Sequence, residues 1–224
     1  MYENEKEILK AKEKFDIEDL RLIIKILRAP DGCPWDGEQT HKSIIPGMIE
    51  ECYEVVEAIE AESSEMLCEE LGDVLLQVVF HSQIEEENGV FDFGDTVSGV
   101  CKKMIVRHPH VFGDVIAEDS ETVLKNWDKI KADTKAQKNL GEKLDSIAKP
   151  LPALIRAQKV MHKAAKEMPV PTPATSDKLT ADEVRIGKML ADAIAECEKL
   201  DIQAETVLRH YTDAIIKSIV QDKR

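Results

Sequence analysis

Apolar residues along this chain recur at three- and four-residue spacing, and no convincing alternating stretch appears. In FDIEDLRLIIKILRAP, Leu20, Ile23, Ile24 and Leu27 fall at i, i+3, i+4 and i+7. Asp16 stands where an N-cap belongs, and Pro30 ends the helix. DGCPWDGEQTH then breaks the period with two glycines and Pro34, and predicts a loop. Cys52, Val55, Val56 and Ile59 predict a second helix from about Ile44 or Met48 to Ala61, with Ser63-Ser64 as turn and N-cap. Leu67, Leu71, Val74, Leu75, Val78 and Val79 predict a third, from about Glu65 to Glu87, closed by Asn88-Gly89. A fourth, capped by Asp95, ends at His108 before Pro109. A fifth starts near Asp119-Ser120 and carries Val123, Leu124, Trp127 and Ile130.

Residues 138–150 read as a linker, and LPALIRAQKVMHKAAKEM as the next helix. PVPTPATSDK reads as a mobile loop, followed by helices at roughly 180–199 and 203–221. The expected fold is all-α, with a first domain over 1–137 and a shorter second one over 151–224. A weak internal repeat links the two. LGDVLLQVVF, from Leu71, aligns with IGKMLADAIA, from Ile186, so that Glu70 falls opposite Arg185 and Asp73 opposite Lys188.

Composition narrows the function classes. The chain of 224 residues is 43% hydrophobic and 33% charged, as a soluble globular protein is, and large enough for a core. Its net charge of −14 argues against nucleic acid and anionic membranes as partners. The charge is uneven: Ser43 to Cys101 contains fifteen Asp and Glu and no Lys or Arg, and Lys102, Lys103 and Arg107 follow at once. That sequence of signs suits a divalent cation beside a phosphate-bearing ligand, although acidic surfaces also serve solubility. Five cysteines, an odd number without CxxC spacing, argue against a disulfide framework or zinc site and suit a reducing cytoplasm. The charged N-terminus does not read as a signal peptide, and no apolar run reaches membrane-spanning length.

EECYEVVEAIEAESSEMLCEELGD, residues 50–73, concentrates ten of the carboxylates. Glu50 and Glu54 lie four apart, Glu51 and Glu54 three apart, and Glu70 and Asp73 three apart, so each pair shares a helix face. If the turn at Ser63-Ser64 is short, the two helices are antiparallel neighbours and the pairs meet across one groove. Carboxylates gathered this way repel one another unless a cation joins them. With no His or Cys among them, the expected ion is Mg²⁺, with Mn²⁺ as the alternative. The bland reading, a solvated helix face, is preferred for Glu57, Glu60, Glu62 and Glu65.

LRAPDGCPWDGEQTHKSI, EECYE, EELGDVLLQVVFH, KMIVRHPHVFGD and NWDKIK occur in this order between about Leu20 and Lys135. Together they closely resemble the MazG family of nucleoside triphosphate pyrophosphohydrolases. The resemblance implies an all-α fold whose EExxE motif (Glu50, Glu51, Glu54) and ExxD motif (Glu70, Asp73) bind Mg²⁺. It implies the reaction NTP + H₂O → NMP + PPi, two tandem MazG-like domains and a homodimer. The second domain here is shortened and lacks both acidic motifs.

On that basis Glu51, Glu54, Glu70 and Asp73 are the expected metal ligands, and Glu50 the carboxylate that orients or deprotonates water. Lys103 and Arg107 would reach phosphate oxygens, against the alternative of cations at a helix C-terminus. Trp127 and Lys131 would close over base or phosphates, and Trp35 and Asp36 would help bind the nucleoside; core packing and loop structuring compete with these roles. His81 is expected as a hydrogen-bonded core histidine and His108 and His110 as turn-shaping, so neither they nor His41 is assigned to catalysis. Two rivals stand beside this reading. One is a pyrophosphohydrolase specialised for a nucleotide such as dUTP or phosphoribosyl-ATP. The other is a catalytically weak helical module that binds nucleotides or a regulatory partner.

Overall fold

Helix signals dominate the sequence and helices dominate the structure. The computed structural model describes residues 2–117, 119–134, 139–176 and 178–221, with the side chains of 128, 129 and 131–134 outside that description. Among the described residues all regular structure is helical apart from an isolated bridge between Ser176 and Leu179. In order, the helices are α1 (Glu3–Ala11), α2 (Ile17–Arg28), α3 (Pro34–Glu38), α4 (Ile45–Glu60), α5 (Ser64–Glu87), α6 (Phe93–Arg107), α7 (Pro109–Phe112), α8 (Ser120–Thr134), α9 (Leu140–Asp145), α10 (Ala153–Ala165), α11 (Ala181–Lys199) and α12 (Ala204–Gln221).

The caps explain most boundaries. Asp16 accepts from the backbone of Glu18 and Asp19 at the start of α2, and Asp19 returns the bond in a capping box. Ser63 accepts from Met66 N and starts α5, which ends at Asn88 before Gly89, whose φ of 70° is the left-handed turn that glycine takes without strain. At α6 the cap is Asp92 rather than the expected Asp95. Asp95 is the third helical residue, and its carboxylate bonds back to Asp92 N. Both aspartates belong to one capping box, and the sequence signal differed only in which came first.

In the first half of the chain, three further helices stand where no periodicity announced them. α1 buries none of its residues and is laced by Lys6–Glu3 and Lys10–Glu7 pairs at three-residue spacing. α3 and α7 are single turns begun by Pro34 and Pro109, residues pre-set for the first helical position.

The chain packs as two compact units, Met1–Val123 and Leu124–Arg224, divided inside α8. In the first, Ile24 of α2 and Val79, Phe80 and Ile84 of α5 form a buried cluster, joined by Leu20, Leu27, Ile44, Leu76 and Phe93. Arg28 closes it from above. Its guanidinium lies 5.1 Å over the Phe80 ring and forks onto Glu87 at 2.8 and 2.9 Å. It also donates to the carbonyls of Asp36 and Gln39, at 2.7 and 3.1 Å. One side chain thereby ties the loop around α3 to both α2 and α5. Gly32 makes the turn after α2 so close that a Cβ would stand 2.2 Å from the Ile26 carbonyl oxygen.

In the second unit α10 packs against α9, α11 and α12. The expected linker thus contains a short helix, α9, held by a Lys143–Glu167 ion pair at 2.6 Å. Buried Gln158 fixes the α11–α12 turn, donating to Ile202 O at 3.0 Å and accepting from Ala204 N at 2.9 Å. A largely apolar cavity of about 570 Å³ lies between α10, the proline-rich loop and α11.

Candidate metal centre

The site begins with two helices brought together by a short turn. α4 ends at Glu60, Glu62 takes a left-handed φ of 53°, and α5 starts at Ser64. The helices pack along their length. Gly47 helps: a Cβ there would be 3.1 Å from the amide of Gln77, so its absence lets α4 approach α5 closely.

On the facing sides of this hairpin, Glu51 of α4 and Glu70 and Asp73 of α5 each offer one carboxylate oxygen, and the three oxygens lie within 4.8 Å of one another. All three residues are half-buried. Glu54, one turn on from Glu51, is also half-buried and reaches hydrogen-bonding distance of both Glu51 and Glu70. Burial pushes the Glu51 carboxyl above its ordinary range, followed by the contact with Glu54 and the negative charges of Asp73, Glu54 and Glu70. Glu70 is raised too, first by burial and then by the charges of Glu54, Glu69 and Asp73. All four groups are oxygen donors, three of them converge at the spacing of one shared ligand, and burial with mutual repulsion holds Glu51 and Glu70 above the ordinary carboxyl range. A hard divalent cation fits that donor set.

The acidic stretch divides by burial, with Glu50 on the exposed side rather than in the groove with Glu54. Glu57, Glu60, Glu62 and Glu65 are exposed, whereas Glu51, Glu54, Glu70 and Asp73 turn inward. Glu50 is exposed and lies outside the three converging oxygens. Lys103 is exposed on α6, and Arg107, four residues on, is buried with 9% of its surface accessible. Trp35 is 65% exposed on α3, and Asp36 beside it is half-buried. Trp127 is half-buried in the second unit, and the side chain of Lys131 lies outside the described residues. Arg185 and Lys188, opposite Glu70 and Asp73 in the repeat, are occupied by Asp182 and Asp192 of their own helix, at 3.1 and 2.8 Å. Among the described residues no second carboxylate cluster of this kind forms.

Two groupings escaped the sequence reading. One is the Arg28 clamp. The other joins His41, before α4, to His81 and Glu85 of α5: His41 Nδ1 is 2.7 Å from His81 Nδ1, and His41 Nε2 is 2.5 Å from a Glu85 oxygen. His81 is hydrogen-bonded, as expected, though half-buried rather than in the core. His108 Nδ1 meets the Met104 carbonyl at 2.6 Å, in keeping with a helix-end role.

Comparison with known proteins bears on the same region. The model of the MazG nucleotide pyrophosphohydrolase domain matches residues 39–112, which include every converging carboxylate, Lys103 and Arg107. The chain is 48% identical over 150 residues to the nucleoside triphosphate pyrophosphohydrolase of Escherichia coli (strain K12), covering 66% of this chain and 57% of that protein. It is 45% identical over 149 residues to the nucleoside triphosphate pyrophosphohydrolase/pyrophosphatase MazG of Thermotoga maritima, covering 66% of this chain and 56% of the relative. An uncharacterized Bacillus subtilis protein, YabN, is 54% identical over 142 residues, 62% of this chain and 28% of its own length. The matched stretch thus spans little more than half of the first two relatives, and much less of the third.

Proposed function

Because this chain belongs to the MazG family, we propose that it hydrolyses nucleoside triphosphates to nucleoside monophosphate and pyrophosphate, clearing or regulating the nucleotide pool. One observation carries the reading. Glu51, Glu70 and Asp73 converge within 4.8 Å inside the region that matches the domain.

In this reading Glu51, Glu54, Glu70 and Asp73 hold Mg²⁺, or Mn²⁺ in its place. When bound, the ion supplies charge neutralisation to the phosphate oxygens and acidifies water. The chain's own groups do the rest. Glu50 stands free of the converging set, exposed on α4, and takes the proton of the attacking water. The water oxygen forms a bond to phosphorus, the bridging P–O bond between the α- and β-phosphates breaks, and its electron pair leaves on the departing phosphate. Lys103 and Arg107, one turn apart, bind phosphate oxygens and offset the charge that gathers there. Trp35, Trp127 and Lys131 contribute to nucleoside and phosphate binding.

The second unit is, in our reading, a shortened MazG-like copy without a metal site, the whole dividing as 1–137, a linker at 138–150, and 151–224. The pattern α2–α4–α5 of the first unit supports this. Between α10 and α11 the described chain has a loop where α4 would lie, and Lys188 stands in place of Asp73. We further infer a homodimer working in the cytoplasm. No helix among the described residues is long and apolar enough to cross a membrane.

The test is pyrophosphate release from canonical and modified NTPs, with and without Mg²⁺. Mg²⁺-dependent release of equimolar monophosphate and pyrophosphate is expected, and Glu70→Gln should remove it. Turnover confined to dUTP or phosphoribosyl-ATP would favour a specialised enzyme. Calorimetric NTP binding without pyrophosphate release would favour a binding module and overturn the assignment.

A further inference from the structure

The His41–His81–Glu85 group has geometry that ordinary packing does not require. The two imidazole planes are inclined by only 6°, with centroids 5.0 Å apart. Stacked rings keep about 3.5 Å between their planes, yet these Nδ1 atoms are 2.7 Å apart. The rings therefore lie edge to edge in one plane, joined by a single N–H···N bond.

Proton counting follows. Glu85 as a carboxylate only accepts, so His41 Nε2 carries a hydrogen. If His41 is neutral, its Nδ1 is a lone pair and His81 donates Nδ1–H to it. If His41 is an imidazolium, it donates from both nitrogens and His81 accepts on a bare Nδ1. Both states satisfy the Nδ1···Nδ1 contact and the Glu85 oxygen without movement. A second added proton does not fit, because two Nδ1–H groups then face each other at hydrogen-bonding distance. The charged neighbours are accounted for. Glu86 is taken by Lys25 at 2.7 Å, Glu87 by Arg28 at 2.8 Å, and Lys42 beside His41 is exposed. On α6, the group near this stretch of α5 is the hydroxyl of Thr96, 3.4 Å from Ser82.

Position gives the group its consequence. His41 precedes the first residue of α4 by four positions, and His81 lies eight residues beyond Asp73, about 12 Å along α5. We propose that His41, His81 and Glu85 form a one-proton clasp that positions the start of α4 on α5, and with it Glu51 opposite Glu70 and Asp73, and that opens when both imidazoles are protonated. Its effect on ion binding rests on the metal-site reading above; its effect on α4 does not. His81 is the ring that resists the last proton, its pKa lowered by burial and by His41. A lowered folded value means the clasp is complete above the ordinary histidine value of 6.5 and is lost as the pH falls through the lower, folded value.

The experiment uses the full chain and His81→Asn, whose side-chain amide can occupy the place of Nδ1 but does not titrate. Hydrogen exchange at residues 45–54, corrected for intrinsic rates, is followed from pH 7.5 to 5.0, with Mn²⁺ affinity measured alongside. The wild type should lose protection by up to about tenfold per pH unit, the limit for one linked proton, and His81→Asn should stay flat. The Mn²⁺ affinity of the wild type should fall more steeply with acid than that of the variant, since the carboxylates titrate in both. Parallel profiles in the two proteins would overturn the clasp, as would an NMR spectrum without coupling between the two Nδ1 nuclei. Absence of Mn²⁺ binding in both proteins would overturn the metal reading, while the exchange data would still decide the clasp.

Discussion

Three carboxylate oxygens held within 4.8 Å of one another cost the folded chain more as more of them ionise. Glu51 and Glu70 have folded pKa values above the ordinary 4.5. Their favourable contribution is therefore complete below that value and is lost as the pH rises through the folded values. At neutral pH the ionised cluster works against folding, and a cation bound there would relieve it. In EDTA at pH 7.5, Asp73→Asn should raise the thermal midpoint, while lowering Mg²⁺-dependent turnover by more than about a hundredfold, beyond the loss seen for outer-shell partners. Mg²⁺ should raise the wild-type midpoint at pH 7.5 and fail to do so below about pH 4.5, checked by calorimetry. An Asp73→Asn protein that Mg²⁺ stabilises as it does the wild type would remove Asp73 from the ligands. These residues were legible because three- and four-residue spacing fixes a helix face and a three-residue turn fixes which faces meet. The His41–His81 bond was not, because its partners are forty residues apart and no spacing rule sets the plane of a ring.

At the scale of elements, long helices announced themselves and short ones did not. α4 and α5 are long, periodic and carry their own stop signals, so their ends agree with expectation to within a residue or so, or up to three where α4's start was left open. α3 has five residues, too few to sustain itself, since nucleating a helix is costly. What holds it is tertiary: the Arg28 guanidinium reaches the carbonyls of Asp36 and Gln39 while it pairs with Glu87 and covers Phe80. Nothing in the periodicity of α2 distinguishes its last residue in this way. The planar fork makes the difference between arginine and lysine decisive. Arg28→Lys keeps one charge but cannot serve a carboxylate and two carbonyls at once, and should cost about 1–3 kcal/mol of unfolding free energy. Urea unfolding with an unchanged slope would measure it, and protease cleavage near residues 31–39 should accelerate. An unaltered midpoint would show that the loop is held by other contacts.

For the whole molecule, the accessible surface raises the question of a partner. The chain exposes 16458 Å². Two separate compact bodies of the sizes of its two units would together expose only about 12,400 Å², so the excess does not depend on how the units are arranged. Part of the exposed surface is apolar and lies on the two helices that carry the converging carboxylates. Ile45, Ile49 and Tyr53 stand at four-residue spacing along α4, and Leu71 and Leu75 stand at the same spacing on α5, each between 40% and 52% exposed. Exposed apolar stripes of this length mark an interface more often than a free surface, and a stable one needs about 1,600 Å² in total, well within the excess. The carboxylates occupy the other side of the same hairpin, so burying the stripe in a homodimer would stiffen the site without covering it. Ile49→Glu combined with Tyr53→Glu puts two charges into that stripe and touches no converging carboxylate. The wild type should sediment as a dimer and the double variant as a monomer with a lower thermal midpoint and a helical circular dichroism spectrum. A double variant that still sediments as a dimer would move the interface to another face. A wild type that stays monomeric throughout would leave the apolar stripe without a second copy to bury it.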